Sequence, residues 1–233
     1  MNNWIALIIT FTAALGFLRL MDFFAHRGWI DSRLSRKIIH IGTGPIFVLC
    51  WLLFDNTPAA RWMAALVPFA ITAQFALIGF GILRDEASVK AMSRTGDPKE
   101  ILRGPLYYGI VFVVLTIVFW KDSPIGIIAL MLMCGGDGIA DVVGRSIKSP
   151  KLPWSKEKSV AGSLAVFIGG WALAILMVAI YAYAGVPGFS ATTSPFPIAI
   201  IAFGVMLAES LPFKDIDNLT ISLTAAILGY FFF

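Results

Sequence analysis

Hydrophobic positions in this chain do not alternate with polar ones at a helical period but run unbroken. Apolar stretches extend from Trp4 to about Met21, then Ile38 to Phe54, Trp62 to Leu83, Leu106 to Trp120, Ile125 to Val143, Ala161 to Ala184, Ile198 to Leu211 and Leu219 to Phe233. A helix needs roughly 17 to 25 apolar residues to cross the hydrocarbon of a bilayer, so the pattern predicts seven or eight transmembrane helices. The fourth, seventh and eighth runs are short, about 22 Å at 1.5 Å per residue, and read as re-entrant or locally broken helices. The expected fold is all-α, an integral membrane protein with a single domain over residues 1–233.

Composition agrees. Of 233 residues, 58% are hydrophobic and only 14% charged, with a mean hydropathy of +0.84. A soluble domain carries about 25% charged residues, and disorder needs low hydrophobicity, so both are excluded. Cys50 and Cys134 lie in apolar stretches and offer neither a disulfide framework nor a cysteine-rich metal site.

The few charges therefore carry the information. One set of alternate connections holds Arg27, Arg33, Arg36, Lys37, Arg84, Lys90, Arg94, Lys99, Arg103, Arg145, Lys148, Lys151, Lys156, Lys158 and Lys214, and the opposite set only Arg61 and Lys121. By the positive-inside rule the first set faces the cytosol and the amino terminus lies outside. The uncharged stretch from Gly185 to Pro197 reads as an outer loop. No basic residue precedes the first run and no Arg-rich amphipathic leader is visible, so the expected setting is a bacterial cytoplasmic membrane. No nucleic-acid partner is expected, because the net charge of +4 follows from topology.

Asp137 and Asp141 sit within the fifth apolar run, four residues apart and so on one helical face. A carboxylate at mid-bilayer costs about 2.5 to 3.5 kcal/mol, and two on adjacent turns repel. Mg²⁺ offsets such a cost, taking one or two carboxylates and leaving its other positions to water and phosphate oxygens. Gly135, Gly136 and Gly138 permit close approach of a ligand and a break in the helix. Interhelical hydrogen bonding or an ion pathway would explain the pair equally well. The residues beyond the pair favour the metal: Arg145, Lys148, Lys151, Lys156 and Lys158, then Ser159, Gly162 and Ser163, place cations and hydroxyls beside the acids, as polyphosphate binding requires. For any single lysine here, ordinary positive-inside topology is the simpler reading.

Glu209 interrupts an otherwise apolar segment just before Pro212, and Asp217-Asn218 opens the eighth run at the same face. Asp217 reads equally well as a helix N-cap. Lys37 and His40 open the second run, His40 reading more simply as an interfacial hydrogen-bonding residue. Glu100 and Arg103 can pair at i,i+3, and Tyr107 and Tyr108 fit an aromatic belt. No Walker-type phosphate loop, nucleophile elbow or His-Glu-x-x-His occurs, which excludes soluble nucleotide-binding folds.

Arg36-Lys37-Ile38-Ile39-His40, Glu100-Ile101-Leu102-Arg103-Gly104-Pro105-Leu106-Tyr107-Tyr108, Gly136-Asp137-Gly138-Ile139-Ala140-Asp141 with Gly144-Arg145, Lys156 to Ser163, and Glu209-Ser210-Leu211-Pro212 with Asp217-Asn218-Leu219-Thr220 succeed one another along the chain. This order resembles the phytol, farnesol and dolichol kinase family, from about Arg33 onward. The resemblance implies transfer of phosphate from a nucleoside triphosphate, usually CTP, to an isoprenoid alcohol, with Mg²⁺ as the metal. Asp137 and Asp141 are then expected at the metal and the acceptor hydroxyl. Arg145, Lys148, Lys156 and Lys158, with Ser159 and Gly162, are expected at the phosphates, and Glu209 and Asp217 as further ligands. Lys37, His40, Glu100, Arg103 and Asn218 are possible additions.

The phosphatidate cytidylyltransferases are distant relatives of that family. Their Lys-Thr-x-Glu-Gly pattern appears here as Lys158-Ser159-Val160-Ala161-Gly162, without the acid. An ion-coupled transporter is the alternative from another class. It accounts for the buried acids but not for their gathering at one face rather than at the midplane.

Overall fold

A computed structural model describes residues 1–192, 194–213 and 216–233, with Ser32 described by its backbone only. Lys214, one of the cations assigned to the cytosolic side, and Thr193 of the uncharged loop lie outside the described residues. The chain divides into two compact units, Met1–Ile117 and Val118–Phe233.

In the first unit, α1 (Asn3–His26) starts where the Asn2 side chain accepts from the Trp4 amide. It is followed by α2 (Ser32–Trp51), capped by Asp31 accepting from Leu34 N at 2.8 Å, α3 (Pro58–Gly79) and the short α4 (Glu86–Met92), capped by Asp85. A 3₁₀ turn over Pro98–Leu102 leads into α5 (Gly104–Val118). Leu18, Met21 and Ala25 of α1 meet Ile39, Phe75, Ile78, Ala91, Met92 and Ile101 in the core of this unit. Hydropathy starts the second run at Ile38, but its helix begins six residues earlier, because Asp31 nucleates it ahead of the cations Arg33, Arg36 and Lys37.

The second unit is built around a rod. α6 (Pro124–Met131) continues through a π-helical segment over Leu132–Asp137 into α7 (Gly138–Ser146). Every residue of α6 is buried, as are Leu132 to Gly136. A helix apolar all round can sit only inside other protein. The rest of the unit is α8 (Val160–Tyr183), α9 (Pro195–Glu209) and α10 (Asp217–Gly229). The break expected at the paired glycines takes the form of a π segment, a wider turn found often at functional sites.

The architecture is all-α, as the sequence leads one to expect, with one small addition. The basic connection between α7 and α8 folds into an antiparallel hairpin, β1 (Lys151–Leu152) with β2 (Ser155–Ser159), pairing Lys151 with Ser159 and Leu152 with Ser155.

Among the described residues, five helices are long and apolar enough to cross a membrane: Asn3–His26, Pro58–Gly79, Pro98–Val118, Pro124–Ser146 and Val160–Tyr183. The fourth run gains crossing length from its 3₁₀ turn, whereas α9 and α10, at 15 and 13 residues, stay short as the sequence suggests. Packing has the polarity of a membrane protein: on α8 the small residues Gly162, Gly170 and Ala174 are buried while Leu164, Ile168 and Leu176 point outward. Small residues at the contact let backbones approach, and large apolar ones face lipid.

Candidate functional site

α7 is held against α8 by glycines on both sides. A Cβ on Gly136 would lie 3.2 Å from the Val166 carbonyl oxygen, one on Gly169 3.1 Å from the Gly135 carbonyl oxygen, and one on Gly144 3.4 Å from Gly162 Cα. This close crossing fixes where the rod delivers Asp137, at the end of its π segment, and Asp141, one turn on.

The start of α8 is closed by its own surroundings. Ser159 Oγ accepts from Gly162 N at 3.2 Å, Ser149 Oγ accepts from Ala161 N at 3.0 Å, and the Pro150 carbonyl accepts from Val160 N at 3.0 Å. Ser159 is thus the N-cap of α8, satisfying the Gly162 amide, and Gly162 is a contact point with α7.

Charge converges beside this crossing. Lys158, on β2, places its ammonium 2.8 Å from Glu209 Oε1 and 3.4 Å from Asp217 Oδ1, and donates to the Glu209 main-chain carbonyl as well. Glu209 is the last residue of α9 and is 7% exposed. Asp137 and Asp217 are both near enough to act on Glu209 as like charges. Residues of the hairpin, α9 and α10 therefore meet at one place, with Glu209 and Asp217 about one ammonium and Asp137 of the rod close enough to act on Glu209. Burial disfavours the charged form of Lys158, but Glu209 and then Asp217 outweigh it and hold the Lys158 pKa above the ordinary lysine value. Asp217 is the first residue of α10, not its cap, since Ile216 occupies that position. Asn218 beside it is buried.

The remaining predicted residues of this unit lie on α7 and on the connection that follows it. Asp141 accepts from Arg145 Nε at 2.8 Å across one turn of α7. Lys148 and Lys156 are exposed. Trp154, which sequence reasoning passed over, donates its indole N–H to the Ser210 carbonyl at 3.1 Å and hydroxyl at 3.2 Å, hooking the hairpin onto the end of α9. A lone tryptophan in a lysine-rich connection was the available signal. Ser163, also buried, points a hydroxyl with no partner among the described residues from the first turn of α8.

Lys37, His40, Glu100 and Arg103 belong to the first unit. The His40 carbonyl accepts from Tyr108 Oη at 2.6 Å, and the two rings lie 4.5 Å apart. Glu100 accepts from the backbone of Arg94 and Thr95 and from Thr95 Oγ1 at 3.0 Å, closing the loop before it. Arg103 ends the 3₁₀ turn.

Among the described residues, no three of His, Cys, Asp and Glu form a ready-made metal cage. Mg²⁺ does not require one, being held through one or two carboxylates while phosphate and water complete its shell. The donors here are hard oxygens in excess of the nearby positive charge, and they fit that ion.

No family model matches the chain, and no solved structure matches it. Curated relatives do. The probable chloroplastic phytol kinase of Triticum aestivum is 38% identical over 230 residues, covering 98% of this chain and 77% of that protein. The chloroplastic farnesol kinase of Arabidopsis thaliana is 41% identical over 209 residues, with 89% and 68% covered. Phytol kinase 1 of the same plant, also chloroplastic, is 36% identical over 209 residues, with 89% and 69% covered. Identity of this degree along nearly the whole chain means that it belongs to the phytol and farnesol kinase family.

Proposed function

We propose that the protein is a membrane-embedded kinase that transfers the γ-phosphate of CTP, or of another nucleoside triphosphate, to an isoprenoid alcohol. The observation that carries this reading, beside the kinship with phytol and farnesol kinases, is the meeting of Asp137, Lys158, Glu209 and Asp217 at the end of apolar helices. Three carboxylates in apolar surroundings make sense where a polyvalent ligand with its own cation arrives. Asp137 and Asp141 are assigned to Mg²⁺ and to orientation of the acceptor hydroxyl, with Glu209 and Asp217 as further oxygen donors. Bound there, the metal would supply neutralisation of the charge that develops during transfer.

The chain's own contribution is positioning. Arg145 in the last turn of α7 is followed on the short connection to α8 by Lys148, Lys156 and Lys158, where their charges can draw in a triphosphate. Ser159 and Gly162 fix that connection to α7. The crossing of α7 with α8 sets the aspartates at a fixed height, so that a hydroxyl presented from lipid meets a preset geometry. The setting we propose is a bacterial cytoplasmic membrane with the site on its cytosolic side. It rests on the distribution of lysine and arginine, and the relatives matched here are chloroplastic.

The test is transfer of label. Purified protein in detergent is given γ-labelled CTP, Mg²⁺ and, separately, phytol, geranylgeraniol, farnesol and phosphatidate. Label is expected on an alcohol, with release of CDP. Pyrophosphate release with phosphatidate and no labelled alcohol would replace the kinase by a cytidylyltransferase.

A further inference from the structure

Lys158 lies in the connection that carries the cations proposed for phosphate, yet its ammonium is held by carboxylates and by the Glu209 main-chain carbonyl. It contacts Glu209 Oε1 at 2.8 Å and Asp217 Oδ1 at 3.4 Å, and its side chain is only 16% exposed. We infer that Lys158 is a built-in counter-ion, which neutralises Glu209 and Asp217 while no nucleotide is bound and passes to the phosphates when nucleotide and metal arrive together. The inference rests on the metal and nucleotide reading of the proposed function and adds a coupling between the two ligands.

The charge balance supports it. With the ammonium in place, a divalent cation approaching Glu209 or Asp217 meets a positive charge within a few ångströms. A triphosphate removes that obstacle by offering the ammonium new acceptors. Lysine suits the exchange, because its ammonium is a compact charge with rotatable donors on a flexible stem, where the arginine fork would fix one geometry. Glu209 closes α9 and Asp217 opens α10, each on a short side chain, whereas Lys158 reaches them from β2 on a four-carbon stem, so its ammonium can change partners while Trp154 keeps the hairpin hooked to Ser210. Metal without nucleotide is therefore bound weakly, which keeps the acids closed until the donor is present.

Unmodified protein in detergent tests this, with Mn²⁺ as the metal probe and reductive methylation of lysines followed at Lys158 by mass spectrometry. Saturating Mn²⁺ alone is expected to release the ammonium and raise the labelling of Lys158 by about tenfold, an ordinary size for coupling between two sites. Adding CTP with Mn²⁺ should protect it again. In Lys158→Gln, Mn²⁺ should bind about tenfold more tightly without nucleotide, and CTP should no longer strengthen it. Unchanged labelling in Mn²⁺, or nucleotide-dependent Mn²⁺ binding that Lys158→Gln leaves as in the wild type, would make the lysine a permanent strut and overturn the inference alone. Absence of Mn²⁺ binding with CTP in both proteins would overturn the metal reading and the inference with it.

Discussion

Gly136→Ala tests how tightly the site depends on the crossing of α7 and α8. The added Cβ would stand 3.2 Å from both Val166 Cγ1 and the Val166 carbonyl oxygen. Comfortable contact begins near about 3.5 Å, so the two helices must part by about 0.3 Å. Val166 is fully buried and its carbonyl belongs to a helix, so neither can swing aside. Overpacking of this kind costs about 1 to 3 kcal/mol, and replacing a helical glycine by alanine returns about 0.5 to 1 kcal/mol. The balance is a loss of about 1 kcal/mol, or a melting midpoint about 2 to 4 °C lower for a chain of this size. Asp137 is the next residue, so turnover should fall several-fold more than stability alone explains, since misplacement by an ångström can cost about a hundredfold. Gly16→Ala is the control: that glycine is exposed on α1 with nothing within 4 Å of its added Cβ, and the same change there should stabilise by about 0.5 to 1 kcal/mol. Thermal unfolding in detergent and transfer of label read the two effects. A Gly136→Ala protein that melts as high as Gly16→Ala and turns over normally would refute the account of the crossing.

Lys158→Ala leaves Glu209 buried without its ammonium and should destabilise the protein by about 3 kcal/mol, with partial recovery when Glu209→Gln is added, as a double-mutant unfolding cycle would show. Trp154→Phe removes both indole hydrogen bonds to Ser210 and should cost about 1 kcal/mol, with faster proteolysis of the hairpin as a second readout. Asp55, between α2 and α3, is held at a pKa of about 2 by hydrogen bonds from the Thr57 hydroxyl, Asn3 and the Thr57 amide. Its folded pKa is lowered, so its stabilising contribution is present above 3.8 and lost as pH falls through about 2. Hydrogen exchange at the start of α1 should rise in that window and not above it. Lys158 has the opposite sign: its folded pKa is raised above 10.5, so its contribution is full below that pH and disappears only on further alkalinisation. Unfolding midpoints between about pH 7 and 10 should therefore show no loss from this group.

The candidate acids stand out in the sequence because apolar residues surround them: Asp137 and Glu209 are conspicuous where every neighbour suits lipid. Membrane character and the short seventh and eighth helices could be read from run length alone. What could not be read is who meets whom. Lys158 finds Glu209 and Asp217 across separations of 51 and 59 residues, a pairing set by how α9 and α10 pack rather than by any local pattern. Ser159 and Gly162 look like a phosphate-approach loop by composition, yet a serine before a helix is also a cap, and a glycine facing Gly144 is also a packing surface. The hairpin escaped notice because β1 has only two residues and β2, Ser-Lys-Glu-Lys-Ser, has no apolar position to alternate. The π segment is likewise invisible, since Gly135-Gly136 suits a wide turn and a broken helix equally. The early start of α2 at Ser32 reflects a cap at Asp31 that hydropathy does not register.

The most direct test of the central claim is the rate at which γ-labelled CTP transfers label to phytol or farnesol in the Asp137→Asn variant, measured beside the wild type on protein shown to be inserted and folded. Asparagine keeps the size and removes the charge, so the account predicts nearly complete loss of turnover with an unfolding midpoint close to that of the wild type. Near-normal transfer in this variant would show that the acids at the end of the rod are not where the phosphate is handled.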